Sequence, residues 1–368
     1  MLLFMLMSAL ALHDYHCELK ARFSQVNGME VVADYGNFSA EYDAIHNHAA
    51  ILDMSFRGRF CLTGNDRKRF LNGQVTNDVL KLNPGQGCYA MVVNHKARVV
   101  GDAFIHCLDG ELLLDCEPGT EENIIQRLEQ FIIADDVQVV RVAHLYGLLT
   151  IQGPKAGEVV TSTLSLPALP GGDFSSISCQ HPACGELYCM RTPRLGKPGL
   201  DIFVPLGSLE ATMNALVERA RAYGGGPAGW LAFETARVEA GIPRHCADMD
   251  QSNLAPEADV FERAISYSKG CYIGQEIIAR IRAHGHLNRK LNGLRLEGPP
   301  DLLPPKGAKL VCGGKEAGYI TSAVFSPTLN QNIALGYVRR EFEIPDQELT
   351  VELPAGTARA RVCPLPFI

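Results

Sequence analysis

The sequence predicts an α+β fold, with two mixed α/β lobes followed by a small C-terminal β-barrel. Three observations lead there. Up to about residue 288, strand-like stretches alternate with amphipathic helical ones, and a similar order of elements occurs twice, as in an internal pseudo-repeat. Pro299, Pro300, Pro304 and Pro305 then mark a linker region. Beyond them, short apolar stretches alternate with Gly and Pro turns without a helical stripe, which reads as a small barrel or sandwich. The expected division is a first lobe at residues 13–145, a second at 146–288 and the barrel at 289–368.

In chain order, His13 to Val26 reads as a helix, with Leu19, Phe23 and Val26 on one side and Gly28 ending it. A strand follows around Arg57–Leu62, and Gly64-Asn65-Asp66 starts a helix anchored by Phe70 and Leu71. Strands are expected near Cys88–Asn94, Arg98–Cys107 and Glu111–Cys116, with Asp109-Gly110 as the hairpin between the last two. Glu121–Ile133 reads as a helix with Ile124, Leu128, Phe131 and Ile132 inward, and a strand near Val137–Val142 closes the half. The second half repeats the theme. It has a strand at Leu148–Ile151, a helix from about Pro154, strands near Leu187–Arg191 and Leu200–Val204, and a helix carrying Leu209, Met213, Leu216 and Ala220. Trp230–Ala240 reads as a further helix.

Composition bounds the function. The 368 residues are 46% hydrophobic and 20% charged, ordinary for a globular chain of two or three domains. A net charge of −7 argues against general nucleic-acid attraction and leaves room only for local basic patches, so no direct DNA binding is expected. The 12 Cys show no C-x-x-C and no short disulfide layout, which reads as the reduced thiols of a cytoplasmic protein. Cys179, Cys184 and Cys189 surround His181, but their spacing matches no common zinc module, so no permanent metal is expected. Met1 to Leu12 is nearly all apolar, yet too short to span a bilayer, and no Lys or Arg precedes the apolar run as in a signal peptide. An upstream start or an N-terminal helix is the reading there, with no membrane partner.

One octet stands out: Lys269-Gly270-Cys271-Tyr272-Ile273-Gly274-Gln275-Glu276. Two glycines four apart bracket a thiol and an aromatic, a lysine stands just before the first, and Ile277, Ile278 and Ile281 follow at helical spacing, with Gly285 as the stop. A tight loop entering a helix is expected, whose first-turn amides favour anions. A thiol beside a lysine near a helix start has the setting of a reactive cysteine, and a buried inert thiol is the competing reading. Arg280, Arg282, Arg289 and Lys290 make the next stretch basic, while His284 and His286 are too few for a metal site.

The octet resembles the signature of the YgfZ-type folate-binding proteins, relatives of the glycine-cleavage T-protein. The resemblance extends from about His13 to Phe367. It rests also on the Gly-x-Asp-Arg and Thr76-Asn77-Asp78 run, on Arg237-Val238-Glu239-Ala240-Gly241-Ile242-Pro243, and on Gly318-Tyr319-Ile320-Thr321-Ser322 with Ala334-Leu335-Gly336-Tyr337. It implies a three-domain cloverleaf around an opening that holds tetrahydrofolate or a one-carbon derivative. The positions matching the pterin-holding acid and arginine are Asp201 and Arg237, with Glu239 in place to orient the arginine. A carboxylate suits the two donors of the pterin aminopyrimidine edge, and arginine offers a planar donor fork. Without the resemblance, Asp201 would read as a solvated strand charge and Arg237 as half of a surface salt bridge.

Two departures matter. Where the T-protein has two adjacent aspartates near the folate nitrogens, this chain has Gly101-Asp102-Ala103, leaving Asp102 as the one candidate acid or base, with a plain hairpin-edge residue as the competing reading. The octet also carries Cys271 and Gln275, which the T-protein lacks. The resemblance therefore implies a tetrahydrofolate-binding protein in iron–sulfur cluster assembly or repair, supporting tRNA-modifying iron–sulfur enzymes. Iron–sulfur proteins or their assembly machinery would be its partners, and Cys271 and Lys269 its working groups. The alternative is a folate-dependent aminomethyltransferase or demethylase. A third reading is a retained fold with a dead pocket.

Overall fold

A computed structural model describes residues 9–368, apart from residues 167, 198, 259, 286 and 355. The apolar run at residues 1–8 and His286 therefore lie outside the described residues. The chain forms two compact units. The first contains the chain up to Asn72 with Asp78–Tyr89 and Ala103–Glu234; the second contains Gly73–Asn77, Ala90–Asp102 and Thr235–Ile368.

The first unit starts with helix α1 (His13–Glu18), strands β1 (Arg22–Val26) and β2 (Met29–Asp34), helix α2 (Phe38–Asn47), strands β3 (Ala50–Asp53) and β4 (Gly58–Thr63), and helix α3 (Arg67–Gln74). The single helix expected over His13–Val26 is wrong. Lys20 takes φ 60 and stops α1, and β1 pairs with β2 across Asn27 and Gly28, whose φ values of 50 and 84 suit a two-residue hairpin turn. Next come β5 (Gln86–Val93), β6 (Val99–Cys107), β7 (Leu112–Cys116), α4 (Glu121–Glu129) and β8 (Gln138–Arg141). They build a five-stranded sheet in the order β5-β6-β7-β4-β8. Helix α4 is shorter than expected. It buries Ile124 and Leu128, but Phe131 lies past its end, exposed, with the Arg127 guanidinium over its ring at 4.3 Å.

A second sheet holds β9 (Tyr146–Gln152), β10 (Ser176–His181), β11 (Gly185–Thr192), β12 (Gly199–Pro205) and the short β13 (Gly226–Pro227), with helices α5 (Ala156–Leu164) and α6 (Leu206–Ala222). Its order is β10-β11-β12-β9-β3-β13, so β3 joins it from early in the chain. Side chains alternate across a strand. Leu200, Ile202 and Val204 of β12 join Leu149 and Ile151 in one core with Val159, Val160, Met213 and Leu216 of the helices. Asp201 therefore faces away from that core.

Helix α7 (Trp230–Glu239) passes from the first unit into the second. There follow α8 (Phe261–Ala264), α9 (Gln275–His284), and strands β14 (Arg289–Leu296), β15 (Lys309–Cys312), β16 (Lys315–Ser326), β17 (Gln331–Arg339), β18 (Glu348–Leu353) and β19 (Gly356–Cys363). The last six close into a barrel in the order β14-β17-β16-β15-β18-β19, as the C-terminal pattern predicted. Leu294, Leu310, Ile320, Val338, Val351 and Val362 fill it. Val238 of α7 packs with Leu291, Leu335 and Tyr337 of the barrel strands.

Candidate functional site

The octet turns out to be half of a clasp within the second unit. Lys269 Nζ donates to the backbone carbonyls of Val75 at 2.7 Å and Asn77 at 2.6 Å, and sits 4.9 Å from the Tyr272 ring centroid. Ile273 N donates to Gly73 O, and Ser266 N donates to Thr76 O. Thr76, fully buried, donates its hydroxyl to Ala264 O at 2.6 Å and accepts from Met91 N at 3.0 Å. Two sequence blocks nearly two hundred residues apart are thus laced together, with Lys269 donating to two backbone carbonyls of the earlier one. Cys271 stands exposed on this loop.

Only one of the bracketing glycines is sterically required. Gly274, the left-handed N-cap of α9 at φ 84, would place a Cβ 2.7 Å from Asn94 O, whereas a Cβ on Gly270 meets nothing. Gly285 ends α9 in the left-handed region as expected, but only Ile278 of the apolar stripe is fully buried. Gln275 caps the turn by accepting from Tyr272 N at 3.0 Å. The basic stretch is not one solvated face. Arg289 pairs with Glu257 at 3.2 Å, and Arg282 stacks 3.8 Å from the Tyr267 ring at a cleft of about 440 Å³. Lys269→Met should cost about 1.5–3 kcal/mol, the usual loss for a charged hydrogen bond, read by urea unfolding. A cost near zero would leave the clasp without energetic weight.

The Arg237 guanidinium, 2% exposed, is no surface charge. It is held at 2.7 Å by Asp248, donates to Ser322 Oγ at 3.0 Å, and contacts the Ile242 carbonyl. Asp248 also accepts from Thr321 Oγ1 at 2.6 Å, Ser322 Oγ at 2.7 Å and Arg244 N at 3.1 Å. Glu239, proposed to orient the arginine, accepts from Ser326 Oγ at 2.5 Å. Both charged residues of the R-x-E run are thus tied to β16, and Asp248 supplies Arg237 with a carboxylate.

In the first unit Asp201 is equally buried, at 1% exposure, and is not a solvated strand charge. Arg194 Nε donates to both its oxygens at 3.0 Å, while Arg194 Nη2 reaches Asp115 at 2.5 Å. Arg57 in turn meets Asp115 at 2.7 Å and Glu117 at 2.5 Å. The Phe104 ring lies under both arginines, 4.9 Å from Arg194 and 5.9 Å from Arg57. Burial works hardest against these charges, yet the two arginines hold the Asp115 carboxyl below its usual range, and the carboxylates raise Arg57 and Arg194 above theirs. The result is a buried line of alternating charge. Asp115 touches two guanidiniums, and Asp201, at the end, is bound to Arg194.

His106 of β6, 1% exposed, lies beside this line, and burial lowers its pKa from 6.5 to about 4. Its folded pKa is depressed, so the unfolded chain binds more protons between pH 6.5 and pH 4. Stability should therefore fall with pH through that window, by roughly 2–3 kcal/mol at pH 4.5. His106→Gln should flatten this part of the curve in urea unfolding at pH 7 and pH 4.5; an unaltered slope would assign the loss to other groups. Asp102 is buried on β6.

Asp102, Lys269, Cys271 and Arg237 all belong to the second unit, and Asp201 to the first. Sequence reasoning missed Arg194, Asp115, Arg57 and Asp248. The signal that could have flagged them is charge inside strand or turn stretches whose neighbours are apolar. Among the described residues no group of three or more His, Cys, Asp or Glu is placed to hold a metal ion. No described helix is long and apolar enough to cross a membrane.

Comparison with known proteins gives the family. Residues 12–269 match the GCVT N-terminal domain, and residues 289–368 match the glycine cleavage T-protein C-terminal barrel domain. The chain is 29% identical to the aminomethyltransferase of Rubrobacter xylanophilus over 361 residues, covering 97% of this chain and 93% of that one. It is 27% identical to the aminomethyltransferase of Halothermothrix orenii, covering 97% and 99%. The solved glycine cleavage system aminomethyltransferase T from Bartonella henselae superposes with a TM-score of 0.88 at 23% identity, covering 98% of each chain. The α+β fold with its C-terminal barrel is thus that of the aminomethyltransferases, and the chain belongs to the glycine cleavage T-protein family.

Proposed function

We propose that this protein binds tetrahydrofolate and acts as a folate-dependent aminomethyltransferase. The observation that carries the reading is the state of Asp201. It is a terminal buried carboxylate, pressed against Arg194, where Asp115 next in line has two guanidiniums. A carboxylate has about four lone-pair positions, so Asp201 keeps acceptor capacity for another donor pair. The aminopyrimidine edge of a pterin supplies such a pair. Arg237, fixed by Asp248, is the matching donor for the pterin's acceptors. Each of these two groups, taken by itself, fits a pterin in charge and in hydrogen-bonding sense. Tetrahydrofolate, when bound, supplies the nitrogens that take the one-carbon unit. Asp102 is the residue to which we assign the proton that must move. The names of the relatives that match along nearly the whole chain support transfer. We retain the three-part functional division at residues 13–145, 146–288 and 289–368. We also retain a cytoplasmic site, which twelve free cysteines support.

A second reading has its own observation. Cys271 is exposed on the clasp loop rather than packed, as a thiol that meets a partner would be. This favours the YgfZ-type role, in which the folate-binding protein maintains iron–sulfur enzymes, including those that modify tRNA. One thiol is too few to hold a cluster, so the contact would be transient. The two readings separate on Cys271→Ala. Under aminomethyl transfer the variant keeps full turnover of an aminomethyl-lipoyl donor with tetrahydrofolate. Under the maintenance role the wild type shows no such turnover, and the variant fails to restore iron–sulfur enzyme activity in cells lacking the native protein.

A further inference from the structure

Away from these residues, the first unit carries a second set of reactive groups on α1. Cys17 and Cys271 are the two exposed thiols of the chain. Cys17 Sγ lies 3.5 Å from His13 Nε2, one helical turn back. The other ring nitrogen, His13 Nδ1, meets Glu30 Oε2 on β2 at 2.8 Å. Glu30 is buried and also accepts the Leu10 backbone N–H at 3.0 Å, so its carboxylate is anchored. Phe23 of β1 stacks on the imidazole at 4.6 Å and 22°. An ionised carboxylate only accepts hydrogen bonds, so Nδ1 carries the ring proton and Nε2 turns its lone pair to the thiol. A nucleophile, a base and a group orienting the base are thus held in line, the arrangement that activates cysteine.

We propose that Cys17, His13 and Glu30 form an activated-thiol site that exchanges with low-molecular-weight disulfides, making Cys17 a reversible thiolation site. His13 Nε2 takes the Cys17 proton, and Glu30 stabilises the resulting imidazolium. The Cys17 thiolate attacks one sulfur of the disulfide, forming a new S–S bond as the old one breaks. The departing thiolate takes the proton from His13. One disulfide and one thiol enter, one mixed disulfide and one thiol leave, and no further oxidant is needed. The site is independent of the folate residues. None of its three members contacts the Asp201 line or the clasp in the interactions described above.

Cys271 is the internal comparator, because each of the two thiols lies alone in its tryptic peptide. The full-length protein is treated at pH 7 with a limiting amount of oxidised glutathione, and the mixed disulfide on each peptide is followed by mass spectrometry. Cys17 should react about tenfold faster than Cys271. His13→Gln should remove that advantage and leave Cys271 unchanged, and Glu30→Gln should slow Cys17 about threefold through the unoriented base. Reduced glutathione should restore the free thiol. Equal rates at Cys17 and Cys271 in the wild type, or a Cys17 rate untouched by His13→Gln, would overturn the proposal. Should Glu30→Gln fail to fold, His13→Gln still decides it.

Discussion

Replacing Arg194 by methionine should destabilise the first unit by about 3–5 kcal/mol, the usual consequence of removing one member of a buried ion pair. The reason is topological as much as electrostatic. Arg194 comes from the loop between β11 and β12, Asp201 from β12, Asp115 from β7 in the five-stranded sheet, and Arg57 from just before β4. Deleting Arg194 leaves Asp201 and one oxygen of Asp115 buried without their guanidinium. Lysine should not rescue it fully, since a point charge cannot bridge two carboxylates as a planar fork does. The double variant Arg194→Met/Asp201→Asn should lose less than the sum of the single variants, by 0.5 kcal/mol or more, as expected of residues in one network. Urea unfolding of the four proteins provides the cycle, and strict additivity would contradict a coupled line.

The second large effect concerns affinity. Asp201→Asn and Arg237→Gln should each weaken tetrahydrofolate binding by about ten- to hundredfold, the equivalent of about 1.5–3 kcal/mol for a charge-assisted hydrogen bond. Asparagine and glutamine are the appropriate changes. Alanine at either position would also empty a packed, ion-paired site, because both side chains are buried against named partners. Calorimetric titration reports the affinity and circular dichroism verifies the fold. Asp248→Asn should weaken binding less, because it acts only through Arg237. If Asp248→Asn proves more damaging to affinity than Arg237→Gln, the arginine is structural and the pterin lies elsewhere.

Much of the architecture was legible because periodicity reports burial. Leu209, Met213, Leu216 and Ala220 announced α6, and Gly and Pro turns between short strands announced the barrel. The reading failed where one pattern imitates another. Leu19, Phe23 and Val26 are spaced as a helical stripe, yet Asn27-Gly28, a hairpin signal in plain view, outranked them. Phe131 also looked like an inward residue, but its ring found a cover in Arg127 instead of the core. The site was legible in its landmarks and not in its wiring. Arg237 and Asp201 were marked by resemblance, while their partners come from turns and strands that only folding brings near. Arg194 and Asp115 are 79 positions apart. Lys269 looked like a tuner of its neighbouring thiol because the carbonyls of Val75 and Asn77, which hold it, carry no side-chain signature.

Folate-dependent aminomethyl transfer, the activity proposed above, can be assayed with purified components. The most direct measurement mixes the purified wild type with an aminomethyl-lipoyl carrier and tetrahydrofolate, and follows the formation of 5,10-methylenetetrahydrofolate with ammonia release. The expected result is turnover that is lost in Asp102→Asn, a variant that still binds tetrahydrofolate, and is retained in Cys271→Ala. Tight tetrahydrofolate binding by the wild type without any turnover of that donor would contradict it.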